Sequence, residues 1–187
     1  MGRTLQRAQG AHTGNDGSDI MSGFQDIDHT DEFLRQLNEL TISSIQGGVF
    51  SGDQEDGLLL AVSANEFGAK VPISDGMRKL FAAKGFPLKK ETKFFIIPER
   101  AAIRKAFDSD KNIDDAIDMG VEIFNKSQNA KQMIKAMGAK MISFIQASIR
   151  SNIQPANHPF TVLEKGGKNK TLVDSGRYAQ GVTYKTA

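Results

Sequence analysis

From Asn129 to Ser151 the chain reads NAKQMIKAMGAKMISFIQASIRS, and its apolar residues return every three or four positions. Met133, Ile134, Met137, Met141, Phe144, Ile145 and Ile149, with Ser148, fall on one side of a helix for about five turns. A stripe of that length must be covered, so this helix is expected to lie across a sheet and form the core. Its methionines are read as core filling, because a thioether chain at helical spacing packs irregular gaps.

The remaining elements are shorter. Thr30–Thr41 has a capping Thr30, acidic Asp31 and Glu32 in its first turn, and Phe33, Leu34, Leu37 and Leu40 on one face, which predicts a helix. SIQGGVF (44–50) and GLLLAVSANEF (57–67), separated by SGDQED, read as a β-hairpin, with Gly47 and Gly48 marking a bulge or a close backbone approach. Ser74–Lys84 is an expected short helix with Met77, Leu80 and Phe81 inward. KFFIIP (93–98) is a strand ended by Pro98, and PERAAIRKAF a short helical segment. Asn112–Phe124 is a helix with Ile113, Ala116, Ile117, Val121 and Phe124 on one side. Pro159–Lys165 adds a turn or two of helix, and Val182–Thr186 a last strand. The expected class is α+β: an antiparallel sheet packed on one long helix and shorter ones. Residues 28–187 form the domain. Residues 1–27, rich in polar residues and without a period, form an extended N-terminal arm that needs neighbours to hold it.

Charge and cysteine content narrow the chemistry. The chain has 24 basic and 22 acidic side chains, a balance unlike the basic excess of a dedicated nucleic-acid binder. There is no cysteine, which removes disulfides and thiolate ligands. No run of 18 apolar residues occurs and the first residues lack a signal-peptide core, so synthesis in the cytoplasm without membrane insertion is expected.

Candidate motifs fail on geometry. DSDKNIDD (108–115) supplies the first positions of a calcium loop, but Ile113 and Met119 stand where Gly and Glu are required. It reads as a polar turn capping a helix. Gly166-Gly167-Lys168 lacks the first glycine and the Ser or Thr of a phosphate loop. His12, His29 and His158 are scattered, with His158 a turn residue. Ser175 has no nucleophile-elbow context, and Asp174 or Ser175 is expected to cap a turn of helix over Arg177, Tyr178 and Ala179. No catalytic, cofactor or metal residue is assigned. The lysine groups Lys84, Lys89, Lys90 and Lys93, and Lys165, Lys168 and Lys170, read as solvated faces, and Arg100 and Arg104, one helical turn apart, as a pair set to meet a neighbour's carboxylates.

Four segments recur in a familiar order: ANEFGAKVP (64–72), IIPERAAIRKAF (96–107), NHPFTVLEKGGKNKTLVDSG (157–176) and the terminal VTYKT. With the long helix between the second and third, the chain resembles the neck or tail-completion (virion morphogenesis, head–tail joining) family of tailed bacteriophages. The matching positions are Glu66, Phe67, Gly68, Ile97, Pro98, Arg100, Arg104 and Phe107, then Pro159, Thr161, Lys165, Gly166, Lys170, Leu172, Asp174 and Gly176. Ala101 and Ala102 depart from the family's pattern, as does Arg177–Val182; residues 72–92 are an insertion and the arm is extra.

The resemblance implies a virion protein without enzymatic activity or cofactor. Its subunits would close a ring, of six copies, between the head connector or stopper and the tail terminator or tail tube, around a channel through which DNA passes without sequence recognition. It implies that Glu66, Phe67, Gly68, Pro98, Asp174 and Gly176 shape the fold, and that Lys89, Lys90, Arg100, Arg104, Lys168, Lys170 and Arg177 meet neighbouring subunits or partners. Residues 1–27, the segment around Gly47 and the Lys84–Lys93 loop would do the docking. Two alternatives stand beside it: a tail terminator that caps the tube, and a small phage-encoded enzyme or regulatory protein, which would form a stable soluble dimer.

Overall fold

A computed structural model describes residues 30–52 and 56–187. In chain order the elements are α1 (Thr30–Ile42), β1 (Ile45–Gly48), α2 (Asp56–Phe67), β2 (Ala69–Pro72), α3 (Asp75–Ala83), β3 (Phe94–Ile97), α4 (Ala102–Phe107), α5 (Asp110–Ser127), α6 (Ala130–Arg150), α7 (Pro159–Glu164), α8 (Arg177–Gly181) and β4 (Thr183–Thr186). The fold is α+β, with small antiparallel sheets among several helices. The expected N-terminal arm and the capping atoms ahead of Thr30 lie outside the described residues.

Helix α6 starts and stops where its caps stand. The Asn129 side chain accepts from Gln132 N, and Ser151 follows the last residue. Ala130, Ile134, Gly138, Met141, Ile145 and Ile149 are buried along one line. A second long helix, α5, packs beside α6, with Ala116 and Gly120 buried at the seam. It begins at Asp110, two residues before the expected Asn112, because Ser109 Oγ accepts from Asn112 N at 3.4 Å and so caps it. The acidic stretch 108–115 is thus the capping turn and first turns of a helix.

The antiparallel pairing is divided between two ribbons. β1 pairs with β4, with Ile45 opposite Thr186 and Gly48 opposite Thr183, and this ribbon lies on α6. At Gly138 a Cβ would stand 2.5 Å from Cδ2 of Tyr184, so only glycine lets the β4 tyrosine lie flat on the helix. Gly47 is likewise a close approach, facing Phe107 and Ile145, so that face of β1 is turned to the core. The other ribbon pairs β2 with β3, Ala69 opposite Ile97 and Pro72 opposite Phe94.

The expected hairpin is corrected: residues 57–67 form helix α2, and the strand beside β1 comes from the far end of the chain. The run LLLAV has no alternation. Val62 and Glu66 are buried one turn apart with Leu58 half-buried one turn earlier, whereas Leu60 and Phe67 are 73% and 67% exposed. An i, i+4, i+8 line inward is a helix signal. In α3, which Ser74 caps, Phe81 is buried as expected, but Leu80 is exposed. Phe81 stacks on Phe160 of α7 at 4.0 Å between ring centroids, which ties α3 to the C-terminal segment. No described helix is long and apolar enough to cross a membrane.

Candidate functional site: a clamp and an open cleft

The two motifs at 64–72 and 96–107 meet in space. Helix α2 ends at Phe67, and Gly68 takes φ +75° to turn the chain into β2. A Cβ there would crowd Glu99 N at 3.2 Å and Ile97 O at 3.3 Å, so both conformation and space require glycine. Glu66, only 4% exposed, then reaches α4, whose preceding residue Ala101 offers no capping side chain. Its Oε2 accepts from Ile103 N at 3.1 Å and its Oε1 from Arg104 N at 2.8 Å. A carboxylate from a distant helix therefore does the work of a local cap.

The arginines serve the same joint. Arg100 is 6% exposed; its Nε donates to Pro155 O at 3.0 Å, Nη1 to Asn65 Oδ1 at 3.1 Å and Nη2 to Ala156 O at 3.4 Å. Burial lowers its pKa. These bonds make it an internal clamp joining α2, the strand end and the segment after α6, not a surface contact. Arg104 is half-exposed: Nη2 donates to Glu66 O and to Glu99 Oε1, and the guanidinium lies 5.1 Å from the Phe67 ring centroid. Its expected carboxylate partners are found in its own chain. Pro98 sits in the bend between β3 and Arg100.

The segment 157–176 is organised around Lys165. Its Nζ donates to the carbonyls of Lys170, Thr171 and Val173 at 2.9, 3.0 and 3.0 Å. The loop folds back over the ammonium, and burial lowers the pKa. His158 caps α7, its Nδ1 accepting from Phe160 N at 3.2 Å. Neither Asp174 nor Ser175 caps α8. Gly176, at φ +86°, holds the cap position without a side-chain bond, and Arg177 Nε reaches Ser175 Oγ at 3.4 Å. The Asp-Ser-Gly turn therefore feeds α8 and then β4 into the ribbon on α6. Lys168 lies 3.9 Å from Asp174. Lys89, Lys90 and Lys170 are exposed, and Arg78 holds the lysine loop from within by donating to the carbonyls of Lys89, Lys90 and Thr92.

Between these parts opens a cleft of about 650 Å³. Its walls are α2 (Leu58, Val62), β3, residues 155–158 and Leu172, with Arg100, Lys165 and Tyr178 among the lining. Nothing in the linear sequence marks it, since its walls come from four separated segments. Tyr178 is buried and its Oη has no hydrogen-bond partner among the described residues. Burial, helped by the Glu66 carboxylate, raises its pKa.

That raised pKa has a sign. The folded state keeps the phenol protonated where the unfolded chain ionises, so stability is intact below the unfolded value near 10 and falls as pH rises through it. Tyr178→Phe removes an unpaired hydroxyl and is expected to change stability by less than about 1 kcal/mol at neutral pH. The same variant loses part of the alkaline decline. Urea titrations at pH 7 and above 10 check both; an unchanged alkaline decline contradicts the assignment.

Among the described residues, no cluster of three or more His, Asp or Glu is set to hold a metal ion. No family model, curated protein or solved structure matches the chain.

Proposed function

We propose that the protein is a structural subunit of the neck of a tailed bacteriophage, one of a ring of copies that joins the head connector to the tail around the DNA channel. The sequence resemblance supplies the family. The observation that carries the ring is the uncovered apolar surface on α5 and α1. Ile113, Ile117 and Val121, spaced one turn apart on α5, are 37%, 41% and 44% exposed, although α5 already buries Ala116 and Gly120 against α6. On α1, Phe33, Leu34 and Leu37 are exposed as well, and Phe33 meets Phe124 of α5 at 6.3 Å between centroids. Apolar faces of this kind mark places where another protein sits. A repeated pair of unlike faces closes into a ring when the rotation between copies closes. The clamp at Glu66 and Arg100 supports a structural role differently: it spends its charged groups on bonds within the fold.

Ile117→Glu with Val121→Glu tests this. Both positions are already in contact with solvent, so the helix content and thermal midpoint stay near wild type. Supplied to a phage that lacks the protein, the double variant is expected to leave heads and tails unjoined. Normal yields of joined particles would contradict the assignment of this face to the ring.

A further inference from the structure

Helix α5 borders its apolar stripe with free carboxylates. Asp110, Asp114 and Asp118 are exposed and follow one another at one-turn spacing beside Ile113, Ile117 and Val121. Their side chains make no hydrogen bond or ion pair among the described residues, whereas Asp115 is held by Lys111 and Glu122 by Lys126. The helix thus presents an apolar face with a negative rim. A two-fold contact of this face with itself would set the aspartates of one copy against those of the other, an arrangement that like charges oppose. Its counterpart must be apolar and must carry cations that are not already paired.

The same chain has such a surface on the outer face of the β2–β3 ribbon. Exposure alternates along both strands, so Lys70 and Pro72 of β2 and Phe94 and Ile96 of β3 share the outward face. Ile96, opposite Lys70, is 67% exposed. Lys70 Nζ lies 4.3 Å from the Phe94 ring centroid, which holds its charge over the apolar surface. Exposed Lys93 stands at the end of that surface, next to Phe94. Neither ammonium reaches a carboxylate among the described residues. The apolar face of α1 differs, since its Arg35 is already paired with Glu32. Dimensions agree as well: the α5 stripe runs about 12 Å from Ile113 to Val121, and a strand of four residues about 13 Å.

We propose that the outer face of the β2–β3 ribbon in one copy docks on the α5 face of the next, with Phe94 and Ile96 against Ile117 and Val121. Lys70 and Lys93 then meet the unpaired aspartates. The two faces are unlike, so the contact runs head to tail and repeats from copy to copy. The inference rests on the ring reading and names the faces that close it.

With no cysteine in the chain, introduced thiols report the contact directly. Full-length Ile96→Cys is mixed with full-length Ile117→Cys under oxidising conditions, and linked peptides are counted by mass spectrometry. Ile42→Cys, at a site about as exposed as Ile96, takes its place in the comparison. About tenfold more 96–117 than 42–117 linkage is expected, because docking raises the local concentration of the matched pair. Comparable yields, or linkage mainly between two copies of Ile117→Cys, overturn the proposal. Adding Asp114→Lys and Asp118→Lys to the Ile117→Cys chain should cut 96–117 linkage about tenfold, and Lys70→Glu with Lys93→Glu in the Ile96→Cys chain should restore most of it. A loss that the second pair does not restore also overturns the proposal. A phage that needs the protein to join heads to tails, but whose protein gives no 96–117 linkage, keeps the neck reading and rejects this contact. Strong 96–117 linkage in a protein whose loss leaves normal particles keeps the contact and rejects the neck.

Discussion

Ile145→Ala is expected to lower the unfolding free energy by about 2–5 kcal/mol, from the lost transfer energy of the side chain and the cavity it leaves. Ile145 is fully buried in α6, packed with Val62, Ala102, Ala106, Ile149 and Tyr178, and its Cδ1 stands 3.2 Å from where a Cβ on Gly47 would lie. The elements α4, α8 and β1 pack on α6 around this cluster, so the space Ile145 vacates cannot close by moving one of them. Domains of this kind are stable by only about 5–15 kcal/mol, so the variant stands near the limit of folding at 37 °C. Ile145→Val should cost about 0.5–1.5 kcal/mol, and Leu163→Ala, half-exposed on α7, within about 0.5 kcal/mol. Urea titrations of the three establish the order. Equal losses for Ile145→Ala and Leu163→Ala would place the core elsewhere.

Glu66→Ala is the second large effect, of about 2–4 kcal/mol, because it strands two backbone N–H groups that the carboxylate satisfied. The bonds to Ile103 N and Arg104 N cap the first turn of α4, whose own preceding residue is an alanine with φ +45°. Arg104 adds less, since its guanidinium is half-exposed and keeps Glu99. Glu66→Gln retains one acceptor oxygen and should recover about half of the loss. Hydrogen exchange would show the damage concentrated at Ile103 and Arg104. A Glu66→Ala protein as stable as wild type would mean that α4 needs no cap from α2.

How much of this could be read beforehand depended on whether the signal was local. Helix α6 was legible to its caps, since Asn129 and Ser151 flank an unbroken i, i+3, i+4 stripe. Ser74, His158 and Ser109 cap their helices through contacts two or three residues away, but the sequence pattern alone starts α5 at Asn112 and leaves His158 a turn residue. Helix α2 was not legible, because a contiguous LLLAV run carries no period and only the burial of Val62 and Glu66 shows which line points inward. The pairing of β1 with β4 was equally hidden, being a contact between the two ends of the described chain. Glu66, Gly68, Arg100 and Arg104 stood out as a motif, but their roles as remote cap, turn and clamp emerge only once α2 and α4 are side by side. The cleft had no sequence signal at all.

Those same contacts decide how the surface lysines are regarded. Lys89, Lys90, Lys168 and Lys170 remain exposed and available to a neighbour, while Arg100 is withdrawn into the fold. A ring built on the α1 and α5 faces would use apolar burial for affinity and leave the lysines at the rim, where charge tunes encounter more than strength.

The most direct measurement is electron microscopy of lysates from a phage prevented from making this protein. The account predicts filled heads beside separate tails of normal length. Overlong or irregular tails would move the protein to the end of the tail tube as a terminator, and normal infectious particles would contradict a role in the neck altogether.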